Sequence, residues 1–173
     1  MKLRWAAAAI LVVAGCAPRS GNAPSDLPST LAARRAVWAE IQALSAERGI
    51  DPGFVYALVK VESDFDPHAR SGDGRGLLQL KPKVWDSVSS APYRTQVWDW
   101  RMNLRVGMDY LAALKRNMSR RGHFSYRLLW AEFHYGFDYV EAHGFDMSRI
   151  RRPSDPTSLK LYSGDLHPVN PPR

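Results

Sequence analysis

The segment from Asp99 to Met118 constrains the fold most, because Trp100, Leu104, Gly107, Leu111, Leu114 and Met118 fall on one stripe at the helical period. A long helix of this kind must bury its stripe against other elements. Gly107 lies within it, and a mid-helix glycine costs about 1 kcal/mol against alanine, so it marks a place where another backbone approaches closely. The rest of the chain also reads as helices. Ser29 or Thr30 caps a helix through Leu31, Val37, Trp38, Ile41 and Leu44 that ends at Gly49. Asp51 and Pro52 open a second helix that stops at Asp66-Pro67. Leu77 to Leu80 suggests a short helix, and Pro82 starts another through Val84, Trp85 and Val88. Ser125 caps one that carries Leu128, Leu129, Ala131 and Phe133 to Gly136, with a short helix from Asp138 to His143. No convincing alternation of strand residues occurs, and only the stretch Arg70–Gly76 has room for a small hairpin.

A chain of 173 residues has room for one domain, and 45% hydrophobic residues supply an ordinary core. The formal charge of +7 admits nucleic acid, anionic lipid or acidic glycan as partners. Nucleic acid is the weakest of these, because the basic pairs Arg34-Arg35, Arg120-Arg121 and Arg151-Arg152 are scattered and form no continuous stripe. His68, His123, His134, His143 and His167 show no ligand spacing with cysteine, so neither a metal nor another cofactor is expected. Gly72, Gly74 and Gly76 lack the preceding strand and the spacing of a phosphate loop.

The start of the chain reads as targeting. Lys2 and Arg4 precede an apolar run from Trp5 to Ala14, too short for a membrane span. The run ends in Val13-Ala14-Gly15-Cys16, which resembles a bacterial lipobox, and Cys16 is the one cysteine of the chain. The resemblance implies a signal peptide over residues 1–15, lipidation at Cys16 and a protein facing the periplasm, tethered to the outer membrane by its acyl chains. Residues 16–30, with Pro18, Pro24 and Pro28, read as a flexible tether. The catalytic domain is then expected over residues 31–162, followed by an extended tail over residues 163–173.

Chemistry concentrates at Glu62. Steps of three, four and seven residues back from it meet Val59, Leu58 and Val55, so its side chain leaves the face that packs into the core. Partial burial disfavours the ionised carboxyl and lets it hold a proton for donation. A charged residue at a helix end is, on its own, more often a solvated or ion-paired group. No second carboxylate has comparable placement: Asp64, Asp66, Asp73 and Glu132 read as exposed charge.

Glu62-Ser63, Phe65, Pro67, Ala69, Ser71, Gly76-Leu77-Leu78-Gln79-Leu80 and Pro82 resemble the signature of the lytic transglycosylase SLT domain, which is related to goose-type lysozymes. A second block, Asn103 to Leu111, resembles the family's Asn-x-x-x-Gly-x-x-Tyr-Leu helix, and Glu132-Phe133-His134-Tyr135-Gly136 loosely meets a third, Ala-Tyr-Asn-x-Gly. The resemblance covers about residues 31–145 and implies a mainly α, lysozyme-like monomer that cleaves peptidoglycan. It implies that Glu62 protonates the oxygen between N-acetylmuramic acid and N-acetylglucosamine, and then deprotonates the muramoyl 6-hydroxyl to leave a 1,6-anhydro ring. A hydrolytic muramidase and a catalytically weak peptidoglycan-binding lipoprotein are the alternatives. Substrate would meet Ser63, Leu78, Gln79, Tyr110, Phe133 and His134. Without the resemblance, Ser63 reads as a helix-end hydroxyl bonded to backbone.

The chain departs from the pattern in three places. The loop from Ser71 to Gly76 is one residue short, His134 replaces asparagine, and Phe133 stands where the family carries a tyrosine. A phenylalanine donates no hydrogen bond. Tyr135, Tyr139 or Tyr162 as a replacement hydroxyl, an apolar wall around Glu62, and weak activity are the readings this leaves.

Overall fold

The computed structural model describes residues 31–173. The signal segment, Cys16, the tether and the Ser29 or Thr30 cap therefore lie outside the described residues. In chain order the elements are α1 (Leu31–Arg48), α2 (Pro52–Ser63), β1 (Arg70–Ser71), β2 (Gly74–Arg75), α3 (Pro82–Val88), α4 (Tyr93–Gln96), α5 (Trp100–Arg120), α6 (Tyr126–Tyr135), α7 (Phe137–Ala142) and α8 (Pro156–Ser163). The mainly helical expectation holds, and the hairpin is real: Arg70 faces Arg75 and Ser71 faces Gly74 in antiparallel register.

The stripe on α5 is buried as its period requires, with Trp100, Leu104, Gly107, Leu111, Leu114 and Met118 all inside. α5 packs against α1, α3 and α6, while α8 packs on both α2 and α6. Ile41, Leu44, Phe54, Leu58, Leu104, Met108 and Trp130 are among the largest fully buried side chains. Leu31, at the start of α1, is instead exposed.

Local signals set most boundaries. Asp51 caps α2 by accepting from the Phe54 N–H at 2.9 Å, Asp99 caps α5, and Ser125 caps α6. α2 ends three residues before Asp66-Pro67, because Asp64 and Phe65 both turn left-handed, with φ of 50° and 67°. That reversal drops the Phe65 ring into the core against Tyr56, 4.7 Å between centroids. The short helix expected over Leu77–Leu80 is a turn. Gln79 has φ of 46°, and Arg75 and Leu80 exchange two backbone hydrogen bonds of 3.0 and 3.1 Å across it.

The last residues return to α2. His167 sits 2.9 Å from the Asp51 carboxylate, and its ring covers Gly53, where a Cβ would come within 2.1 Å of it. Only glycine fits there without a shift. The Arg35 guanidinium donates to the Arg173 carbonyl at 2.8 Å.

Candidate active site

A cavity of about 640 Å3 opens where the end of α2, the hairpin, the turn after it, α5 and the end of α6 converge. Glu62 reaches it from the last turn of α2 with a side chain 17% exposed, half-buried as its helical phase predicts. Leu78, Gln79, Tyr110, Phe133 and His134 line the same cavity. Ser63 does not line it: its hydroxyl donates back to the Val59 carbonyl at 3.0 Å.

α5 shapes the wall opposite the acid through three residues at helical spacing. Asn103 is fully buried and spends its whole amide on backbone, accepting from the Leu78 N–H and donating to the carbonyls of Arg75 and Val97, each at 3.0 Å. One turn on, Gly107 makes room for Leu78, whose Cδ1 would lie 2.4 Å from a Cβ there. The close approach expected at Gly107 is thus made by a side chain rather than by a backbone. Tyr110 completes the row at the cavity. Gln79 braces the turn as well, its amide donating to the Ala69 and Gly76 carbonyls at 3.0 and 2.7 Å.

His134 stands beside Glu62, with Nδ1 3.6 Å from its Oε1. That is too long for a hydrogen bond and close enough for an ion pair when the ring is protonated. The imidazole is held flat on Trp130, with centroids 5.3 Å apart and planes 13° apart. Phe133 turns its ring toward Tyr110, 6.2 Å away. The three tyrosines considered as replacements for the missing hydroxyl are engaged elsewhere. Tyr135 donates to the Arg151 carbonyl, Tyr162 donates to the Met147 carbonyl, and Tyr139 accepts from the Arg151 N–H. Tyr110 is therefore the tyrosine on the cavity whose hydroxyl has no such bond, and burial raises its pKa, with Glu132 adding to the rise.

Glu132 corrects the sequence reading. Expected as exposed charge, it is 1% exposed, borders the cavity, and keeps both carboxylate oxygens buried without a hydrogen-bond partner. The signal was present in its register, three residues after Leu129 and four after Leu128 on the buried face of α6. Burial pushes its pKa up to about 7, and the Arg121 guanidinium pulls the other way. A carboxyl that titrates near 4.5 when unfolded and near 7 when folded binds more protons in the native state between those values. Its favourable state is therefore fully present below about pH 4.5 and is lost as pH rises through 7. Glu132→Gln is accordingly expected to match wild-type stability at pH 4 and to exceed it at pH 8, by on the order of 3 kcal/mol. Urea unfolding across that range checks this, and parallel pH curves for the two proteins would refute it.

A larger hollow of about 880 Å3 lies along α1 and α5, away from Glu62. Its charges are largely satisfied: Arg48 pairs with Asp109 and Glu47 at 2.8 Å each, and the Lys115 ammonium donates to the Gly49 carbonyl. Among the described residues no group of acidic, histidine or cysteine side chains is arranged to hold a metal ion.

The model of the transglycosylase SLT domain matches residues 40–131, more than half of the chain, and ends just before Glu132. A solved structure, an inactive glutamate-to-glutamine mutant of the lytic transglycosylase Slt from Pseudomonas aeruginosa, superposes with a TM-score of 0.57 at 22% identity. The match covers 76% of this chain and 23% of that one, so the chain spans about a quarter of the Slt length. At that identity the likeness establishes the lysozyme-like fold. With the Asn103–Gly107–Tyr110 row built against the glycine turn, and the domain model matched across both, the chain belongs to the transglycosylase SLT domain family.

Proposed function

We propose that the protein is a peptidoglycan lytic transglycosylase, anchored in the cell envelope through Cys16, with Glu62 as its single acid and base. The observation that carries this reading is the half-buried Glu62 carboxyl at the cavity, facing the turn that Asn103 and Gly107 hold in place. The Slt structure, inactive as a glutamate-to-glutamine mutant, agrees with a chemistry that rests on one carboxyl.

In this mechanism Glu62 gives its proton to the oxygen leaving C1 of N-acetylmuramic acid, and the sugar's own acetamido group supports the positive charge at C1. The ionised Glu62 then takes the proton of the muramoyl 6-hydroxyl as that oxygen bonds to C1. The carboxyl ends as it began, and no water is consumed. His134, when protonated, stabilises the ionised carboxylate between the two steps from 3.6 Å away. Phe133 and Tyr110 give this wall its apolar surface, which limits entry of water that would otherwise compete for C1.

A hydrolytic muramidase needs a second carboxylate that reaches water, as many glycosidases have. Two other carboxylates border the cavity: Glu132, whose oxygens are buried away from water, and Asp73, exposed in the hairpin turn, which is the group a muramidase would have to use. Digesting purified sacculi with the protein and weighing the muropeptides tests the choice. Ends carrying 1,6-anhydro-muramic acid are expected. Ends with water added would assign a muramidase, and intact glycan would leave a binding protein.

A further inference from the structure

Beside the Glu62 cavity lies a second hollow of about 620 Å3, which shares Val61, His134 and Tyr135 with it. Its other wall is the irregular segment from Arg151 to Asp155 that leads into α8. Arg151 is fixed there through its backbone, its N–H donating to the Tyr139 hydroxyl at 3.1 Å and its carbonyl accepting from Tyr135 at 3.0 Å. Its guanidinium lies over the Tyr135 ring, 5.4 Å from the centroid.

The charge of this hollow is unbalanced. Among the described residues neither Arg151 nor Arg152 has a carboxylate within 4 Å; they share this with others such as Arg70, Arg94 and Arg105, but they line a hollow that adjoins the Glu62 cavity. Asp155 is the one acidic residue in the lining, and it is engaged as the cap of α8, accepting from the Ser158 N–H at 2.7 Å. Two guanidinium groups without counter-ions, the first on a backbone held at both its N–H and its carbonyl, beside the Glu62 cavity, make a receptor for carboxylates, which their planar forks match.

Peptidoglycan supplies such groups next to its sugars. The muramic acid ring carries a peptide branch through its lactyl ether, and that branch bears free carboxylates. We propose that the Arg151–Arg152 hollow binds carboxylates of the peptide branch on the strand whose sugars occupy the Glu62 cavity. This rests on the peptidoglycan reading given above and adds to it a preference for strands that retain their peptides.

Binding separates this proposal from the reaction. With Glu62→Gln protein, so that strands stay uncut, affinity is measured by calorimetry for soluble glycan strands with their peptides and for strands stripped by an amidase. Peptide-bearing strands are expected to bind about 5- to 10-fold more tightly, as two exposed charge pairs allow. Arg151→Gln combined with Arg152→Gln is expected to erase that difference. Equal affinity for the two strand types, or a preference that survives both substitutions, would overturn the proposal. Should the double variant melt earlier than its parent, a salt series on the parent decides in its place: a preference unchanged by rising salt overturns the role of charge. Failure to bind either strand would instead sink the peptidoglycan reading beneath it.

Discussion

Glu62→Gln is expected to slow glycan cleavage by about 100- to 10,000-fold, the range over which a positioned acid and base contributes to catalysis. Glutamine keeps the shape of the side chain and can still hydrogen-bond a sugar, but it has no proton to give the leaving oxygen and cannot take one from the 6-hydroxyl. The loss should therefore fall on kcat, with affinity for strands largely kept. Single-turnover digestion of sacculi, followed by counting of anhydro ends, measures it. Retention of more than a tenth of the wild-type rate would mean that another group is the acid. Glu132, with a pKa pushed to about 7, would then be the next to replace.

Asn103→Ala should be the most damaging substitution to stability away from the acid. The asparagine satisfies the Leu78 N–H and the carbonyls of Arg75 and Val97 from a position with no solvent access. Alanine leaves the Leu78 N–H and the Val97 carbonyl without a partner, while the Arg75 carbonyl keeps its bond from the Leu80 N–H; at roughly 1–3 kcal/mol for each orphaned group, a loss of about 2–5 kcal/mol is expected. Against the usual reserve of roughly 5–15 kcal/mol, that is a large share of the fold. Urea unfolding checks the size. A second signature should accompany it: molecules still folded lose the tie that holds Leu78 on Gly107, so cleavage should fall further than the folded fraction does. Asn103→Asp tests the direction of the bonds, because a carboxylate would face the Arg75 and Val97 carbonyls with an acceptor where a donor is needed. A stability change under 1 kcal/mol for Asn103→Ala would show that water takes over its bonds.

What could be read from the chain was whatever local chemistry encodes. Asp51-Pro52 set the start of α2 and Glu62 fell on its half-buried face, both within one element. Gly107 announced a close approach for the same reason. The turn at Leu77–Leu80 was misread as a helix because its shape is decided at a distance: the Leu78 N–H bonds to an asparagine 25 residues later, and no local pattern carries that. Glu132 was misread for a different reason. Its charge spoke for solvent while its register on α6 spoke for the interior, and the packing of α6 against α5 decided in favour of register. α8 was overlooked although Asp155-Pro156 repeats the pair that opens α2, with Asp155 capping in the same manner.

The return of the chain end to α2 bears on the order in which the molecule is made. α2 leaves the ribosome early, yet the Tyr126 hydroxyl that meets its Asp51 N–H, the α8 helix that flanks it and the His167 ring that closes its first turn all follow later. The contact between His167 and Asp51 spans 116 residues. A nascent chain therefore carries Glu62 on a helix with one flank bare until α8 and His167 have been made, more than a hundred residues after Asp51, and the surroundings of Glu62 are complete only then.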